Sequence, residues 1–198
     1  MKKGFTLVEL LIVIAILAIL SVAVVVVLNP AELLKQARDS TRISDLASVN
    51  SAVALYLTDV ATPGIGGPNG ASCSGGLSRC TVATTTASSP FITVGNGCGN
   101  SGTAVTSTAV TGSGWVAVDL LDITGGSPLS RLPTDPTNST AHFYGYACGR
   151  GGSEFNYEMN ASMESSKYAV GGTSDVESNS KDGGDRDTLY EIGSHLQQ

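Results

Sequence analysis

No Cys-x-x-Cys pair, no Gly-x-Ser-x-Gly turn and no phosphate-cradling glycine loop occurs in these 198 residues. The two histidines, His142 and His195, are far apart in the chain. Those absences leave no zinc spacing, no nucleophile elbow and no nucleotide site, so no catalytic residue is expected and the chain reads as a non-enzyme. Basic residues are few: 11 Lys and Arg against 17 Asp and Glu give a net charge of -6. No basic cluster stands beyond Lys2 and Lys3, and an acidic surface repels phosphate backbones, so direct nucleic-acid binding is not expected.

What is present begins at the first residue. Met1-Lys2-Lys3-Gly4 is followed by Phe5-Thr6-Leu7-Val8-Glu9 and an apolar run to Leu28. Phe5 to Leu28 is 24 residues. As a helix rising about 1.5 Å per residue it is roughly 36 Å long, enough to cross a hydrocarbon core of about 30 Å with some tilt. Lys2 and Lys3 belong on the cytoplasmic side, which puts the 170 residues after Leu28 outside. A conventional secretory signal is the competing reading, with Ser21-Val22-Ala23 as a weak cleavage site, but its apolar region is only 7–15 residues long. Glu9 is the anomaly. A carboxylate at mid-bilayer costs about 2.5–3.5 kcal/mol on insertion scales, and less near an interface, where Glu9 would lie.

Gly4-Phe5-Thr6-Leu7-Val8-Glu9, continued by Leu10-Leu11-Ile12-Val13-Ile14, resembles the class III signal of type IV prepilins and the related pseudopilins. The resemblance implies cleavage between Gly4 and Phe5 by a prepilin peptidase and N-methylation of the new Phe5 amine. Loss of the leader removes two lysines and leaves a more acidic protein. In that family the partner of the glutamate at the Glu9 position is thought to be the terminal amine of a neighbouring subunit. The implied function is therefore a structural subunit of a type IV pilus-like filament, a homo-polymer built at an inner-membrane assembly platform. It starts as a single-pass inner-membrane protein and ends in an extracellular pilus or periplasmic filament. A pseudopilin of a type II secretion or DNA-uptake system is the alternative. A membrane-anchored binding protein that never polymerises is a further one. Many pilins carry a proline inside the apolar run, and this chain does not.

The expected fold is α+β and pilin-like: a long N-terminal helix, membrane-spanning in its first half, packed on a small antiparallel sheet. Residues 1–4 form the leader, 5–28 the span, 29–60 its amphipathic continuation and 61–198 a disulfide-containing head. Asn29-Pro30-Ala31-Glu32 has the spacing of a helix restart, with Asn29 as cap and Pro30 in the first turn. Beyond it Ile43, Leu46, Asn50, Val53, Leu57 and Val60 step by three and four, and Ala47 and Ala54 widen that stripe. Lys35, Arg38, Asp39, Arg42 and Asp45 fall mostly off it, with Lys35–Asp39 as an i,i+4 pair.

Thr62 to Gly70 is rich in Pro and Gly and ends the helix. Short strands are expected at Thr81–Thr86, Phe91–Val94 and Trp115–Leu120. Leu132-Pro133-Thr134-Asp135-Pro136 before the aromatic strand His142–Cys148 looks like a pilin or pseudopilin head. Phe155, Tyr157, Met159, Ala161 and Met163 alternate with the residues between them and should face the helix. Leu189–Ile192 supplies a last strand.

Cys73, Cys80, Cys98 and Cys148 all lie on the exported side, where disulfides are favoured over free thiols or zinc. Three connectivities are open, and Cys73–Cys80 with Cys98–Cys148 is preferred. No cofactor is required. The acidic run Asp182-Gly183-Gly184-Asp185-Arg186-Asp187 is the one candidate metal site, since calcium takes hard carboxylate oxygens and some pseudopilins bind it in a comparable loop. The spacing of Asp182, Asp185 and Asp187 is not that of an EF-hand and Arg186 offsets their charge, which favours a solvated turn.

Overall fold

In the computed structural model, residues 4–73, 77–82, 103–149 and 154–196 are described. Helix α1 spans Leu7–Leu28 and helix α2 spans Pro30–Asp59. The break between them is one residue wide. Asn29 adopts φ 39° and ψ 70°, a left-handed conformation that asparagine tolerates better than most residues. Pro30 then starts α2, where its missing N–H costs nothing. The expected side-chain cap does not form; the Asn29 carbonyl instead accepts from the Glu32 and Leu33 amides. Glu32 is drawn away from a capping box because its carboxylate accepts the amide and hydroxyl of Ser166 in the head.

Strands β1 (Leu77–Cys80), β2 (Thr103–Ala104), β3 (Gly145–Cys148), β4 (Tyr157–Ala161) and β5 (Tyr190–Gly193) form one sheet in the order β2-β1-β3-β4-β5. Four are antiparallel neighbours, and β2 adds a two-residue parallel edge. A four-residue helix α3, Asn179–Asp182, precedes β5. Register places Tyr146, Met159 and Ile192 side by side across β3, β4 and β5. They join the core that also contains Leu46, Val49, Val53 and Tyr56 of α2.

The buried stripe of α2 is Asp39, Arg42, Leu46, Val49, Ala52, Val53 and Tyr56. Leu46 and Val53 were expected there. Ala47 and Ala54 are exposed, however, and the stripe's centre lies about one position earlier than the aliphatic spacing suggests. The reason is that Asp39 and Arg42 are core residues and continue the same three-four step. Lys35 lies 3.9 Å from Glu32, and Asp39 is held by Arg42 rather than by Lys35.

Trp115–Leu120 is not a strand. Trp115, Val116, Ala117, Val118 and Leu120 are all buried in the core. The segment makes one isolated bridge, Thr111 to Asp119, and turns into a 3-10 helix at Leu120–Asp122. Trp115 lies against Tyr144, ring centroids 5.6 Å apart, and its indole N–H donates to the Pro133 carbonyl. The strand expected from His142 starts only at Gly145. In β4 the predicted face is buried at Tyr157, Met159 and Ala161, while Phe155 beyond the strand is exposed. Glu158 and Asn160 on the opposite face are buried too, so β4 has no solvent side.

The preferred cysteine pairing is not the observed one. Cys73 is bonded to Cys148 across a sequence separation of 75, with Cα atoms 6.0 Å apart. Cys80 is also disulfide-bonded. A short Cys73–Cys80 staple would need the chain to turn back between them, but Leu77–Cys80 is extended and carries Cys80 away from Cys73. Antiparallel pairing sets Leu77 opposite Cys148, which brings Cys73 to the end of β3. There Gly149, at φ +86°, has room for no side chain, since a Cβ would meet the Cys73 carbonyl oxygen at 1.7 Å. Cys98 and the strand expected at Phe91–Val94 lie outside the described residues, as do positions 83–86 of the strand expected from Thr81; Thr81 itself is not in a strand.

Candidate processing and assembly site

The amino-terminal site is built by one local motif. Gly4, Phe5 and Thr6 are non-helical and exposed, and the helix starts at Leu7. Thr6 is the N-cap at φ -83° and ψ 152°. Its hydroxyl accepts from the Glu9 amide at 3.2 Å, while Glu9 Oε2 accepts the Thr6 amide at 2.9 Å and the Thr6 hydroxyl at 2.8 Å. This is a full capping box, and it satisfies orphan donors at a helix start by means of the one carboxylate in the run. Cap and carboxylate together also complement the positive end of the helix dipole.

The Gly4–Phe5 peptide bond stands outside the helix, in an open segment where a Cβ on Gly4 would meet nothing within 4 Å. Phe5 is 84% exposed. A protease needs an extended backbone, and the capping box fixes where the extended segment ends. By contrast Ser21-Val22-Ala23, the alternative cleavage site, is inside α1. The Ser21 hydroxyl donates to the Leu17 carbonyl at 2.7 Å, so the polar group carried furthest into the apolar run is satisfied within the helix.

No residue of α1 is buried against the rest of the chain. The helix is long and apolar enough to cross a membrane. Its exposed aliphatic surface is unpartnered among the described residues.

The head holds α2 through a buried ionic cluster that the sequence reading did not find. Arg42 is wholly buried. Its Nε donates to Asp135 Oδ2 at 2.6 Å and its Nη1 to Asp39 Oδ1 at 2.8 Å. Its Nη2 donates to Asp135 Oδ1, Thr137 Oγ1 and Glu164 Oε1. Arg38 reaches Glu164 from the next face of the helix. Asp39 accepts the amides of Glu164 and Ser165 at 2.9 and 2.8 Å. Two cations thus meet three carboxylates; Asp39 and Asp135 accept backbone amides as well, and Asp135 also the Thr137 hydroxyl. Arg38 first, then Arg42, hold the Glu164 carboxyl down to about 2 against the opposing effect of burial. Burial pushes Asp135 up, but Arg42 and the amides of Asn138 and Thr137 outweigh it and hold the carboxyl low. The signal that could have revealed this was the spacing 39-42-46-49-53-56, which includes the charged pair.

The acidic C-terminal run is not gathered into a ligand set. Asp182 Oδ1 accepts from the Gly184 amide and Oδ2 from the Glu191 amide, while Asp187 Oδ1 accepts from Asn179. Among the described residues no group of three His, Cys, Asp or Glu side chains is placed to hold a metal ion, and Asp182, Asp185 and Asp187 form none. His142 Nδ1 lies 3.2 Å from the Ser162 carbonyl, a structural contact.

Residues 1–25 match the family model described as the prokaryotic N-terminal methylation motif. No curated protein and no solved structure matches the chain. The amino terminus therefore carries a class III signal of the type IV pilin and pseudopilin kind, and the motif implies processing by prepilin peptidase.

Proposed function

We propose that this protein is a structural subunit of a type IV pilus-like filament. The observation that carries the reading is that α1, headed by the methylation motif, has no buried residue, while the head closes its own core without it. Cleavage after Gly4 frees the Phe5 amine one residue before the helix cap, and N-methylation leaves it a cation at neutral pH. In the membrane the protein is held by α1. In the filament, α1 helices of neighbouring copies replace lipid around one another, and packing supplies the gain because lipid is as apolar as leucine. Glu9 is the only ionisable side chain from Phe5 to Leu28. Its carboxylate meets the Phe5 amine of the adjoining subunit, so both charges are neutralised as they leave the headgroup layer. The head contributes the acidic exterior of the filament.

Two measurements on the producing cells test this together. The mass of the mature protein should correspond to a chain starting at methylated Phe5. Glu9→Ala should be processed identically yet fail to appear in sheared surface filaments seen by electron microscopy. Retention of Met1 to Gly4, or normal filaments from Glu9→Ala, would overturn the proposal. Loss of secretion without long filaments would assign the chain to a short pseudopilin fibre instead.

A further inference from the structure

A second kind of local motif stands in the head, away from the amino terminus. Asn138-Ser139-Thr140 has the Asn-x-Ser/Thr spacing at which an asparagine amide accepts a glycan, and Asn160-Ala161-Ser162 has it too. The middle residue is not proline in either, and a hydroxyl follows two positions on. Folding treats the two asparagines in opposite ways.

Asn160 lies inside β4. It is 1% exposed, and its Nδ2 is 3.5 Å from Glu158 Oε1. No enzyme acting on the folded head reaches that nitrogen. Asn138 stands instead on a turn whose residues 136–141 are all exposed. The turn is held from beneath. Asp135 is buried and accepts the Thr137 and Asn138 amides at 2.8 and 3.0 Å, while Arg42 holds its carboxylate. At the other end the Ser139 amide donates to the His142 carbonyl and the His142 amide to the Ser139 hydroxyl. Asn138 takes φ 41°, in the left-handed region that asparagine tolerates. Its Oδ1 accepts the Thr81 hydroxyl at 2.8 Å. That bond engages the oxygen and leaves the nitrogen. Among the described residues neither Asn138 Nδ2 nor the Thr140 hydroxyl has a partner.

We propose that Asn138 is an N-glycosylation site. A glycan is bulky and hydrophilic and needs a surface position, which this turn supplies. The donor is an oligosaccharide carried on a lipid pyrophosphate, and the enzyme is a membrane oligosaccharyltransferase facing the exported side. Asn138 Nδ2 bonds to the anomeric carbon as the bond from that carbon to the pyrophosphate oxygen breaks. The lipid pyrophosphate leaves with the bonding pair, and one Nδ2 proton passes to a base of the enzyme. The Thr140 hydroxyl is the feature by which the enzyme recognises the acceptor. Thr81 and Asp135 fix the turn, so the folded head presents the amide without rearrangement. The inference rests on the export of the head in the proposed function.

The test is a peptide map by mass spectrometry of the full chain purified from the producing cells. The peptide containing Asn138 should exceed its sequence mass by a set of sugar residues. Asn138→Gln and Thr140→Ala should each abolish the addition, and Thr140→Ser should keep it because the hydroxyl remains. Ser162→Ala, which removes the second motif, should change nothing. A bare Asn138 peptide overturns the proposal, and so does a sugar that survives Asn138→Gln. The amino-terminal peptide in the same map separates this outcome from the filament reading. Methylated Phe5 with a bare Asn138 overturns glycosylation alone, whereas retention of Met1 to Gly4 with a bare Asn138 overturns both.

Discussion

Arg42 of the helix and Asp135 of the head form a two-point ion pair, at 2.6 and 3.0 Å, with both side chains fully withdrawn from solvent. The two residues are 93 positions apart in sequence. Arg42 thereby ties both the turn after Pro133 and the loop at Glu164 to the helix.

Removing one partner should be costly because the other stays buried and charged. Arg42→Met is expected to destabilise the folded head by about 3–5 kcal/mol. Arg42→Lys should recover little, since an ammonium cannot present the forked donors that meet Asp135 and Asp39 together. Urea unfolding of the full chain in detergent, followed by Trp115 fluorescence, reads both. An Arg42→Met variant as stable as the unsubstituted protein would contradict the cluster's role.

Acid and neutral pH should act on different carboxyls. Glu164 falls from an ordinary 4.5 to about 2 on folding, so its contribution is present above 4.5 and is lost as pH falls toward 2. Glu191 moves the other way. Burial raises it from 4.5 to about 7, so its contribution is full below 4.5 and is lost as pH rises through 7. The unfolding midpoint should therefore decline on both sides of pH 4.5. Glu164→Gln should flatten the acid limb and Glu191→Gln the limb toward neutrality. A profile unchanged by either substitution would count against these placements.

The Cys73–Cys148 bridge closes a long loop and should matter accordingly. A closed loop of 75 residues corresponds to about 4 kcal/mol in the chain-entropy picture. The Cys73→Ser, Cys148→Ser double variant should lose about that much, measured by the same unfolding assay. Peptide mapping without reduction should recover Cys73 and Cys148 in one linked fragment. A fragment linking Cys73 to Cys80 would refute the register of β1 on β3.

The amino terminus was legible because its logic is local. Gly4 to Glu9 and the apolar run stand together in sequence; the capping box between Thr6 and Glu9 was equally local but was recognised only in the structure. The helix break at Asn29-Pro30 was legible for the same reason, although the cap expected from the Asn29 side chain was not made. The head was less readable. Arg42 looks like a solvated surface residue until Asp135, Thr137 and Glu164 are placed around it, and nothing near Arg42 in sequence announces them. Trp115–Leu120 has strand-like composition, but among the described residues its only ladder contact is the isolated bridge from Thr111 to Asp119. The alternation of β4 was visible, yet burial of Glu158 and Asn160 removed the polar face that alternation implies.

The sequence by itself determined which run is long and apolar enough to cross a membrane and, to within two residues, where its helix begins. Those outcomes depend on hydrophobic length and on contacts three residues apart, and both can be counted along a line. Only tertiary structure decided which cysteines join and which charges are core. Each of those choices depends on sheet register and helix rotation, which bring together groups separated by 75 to 126 residues.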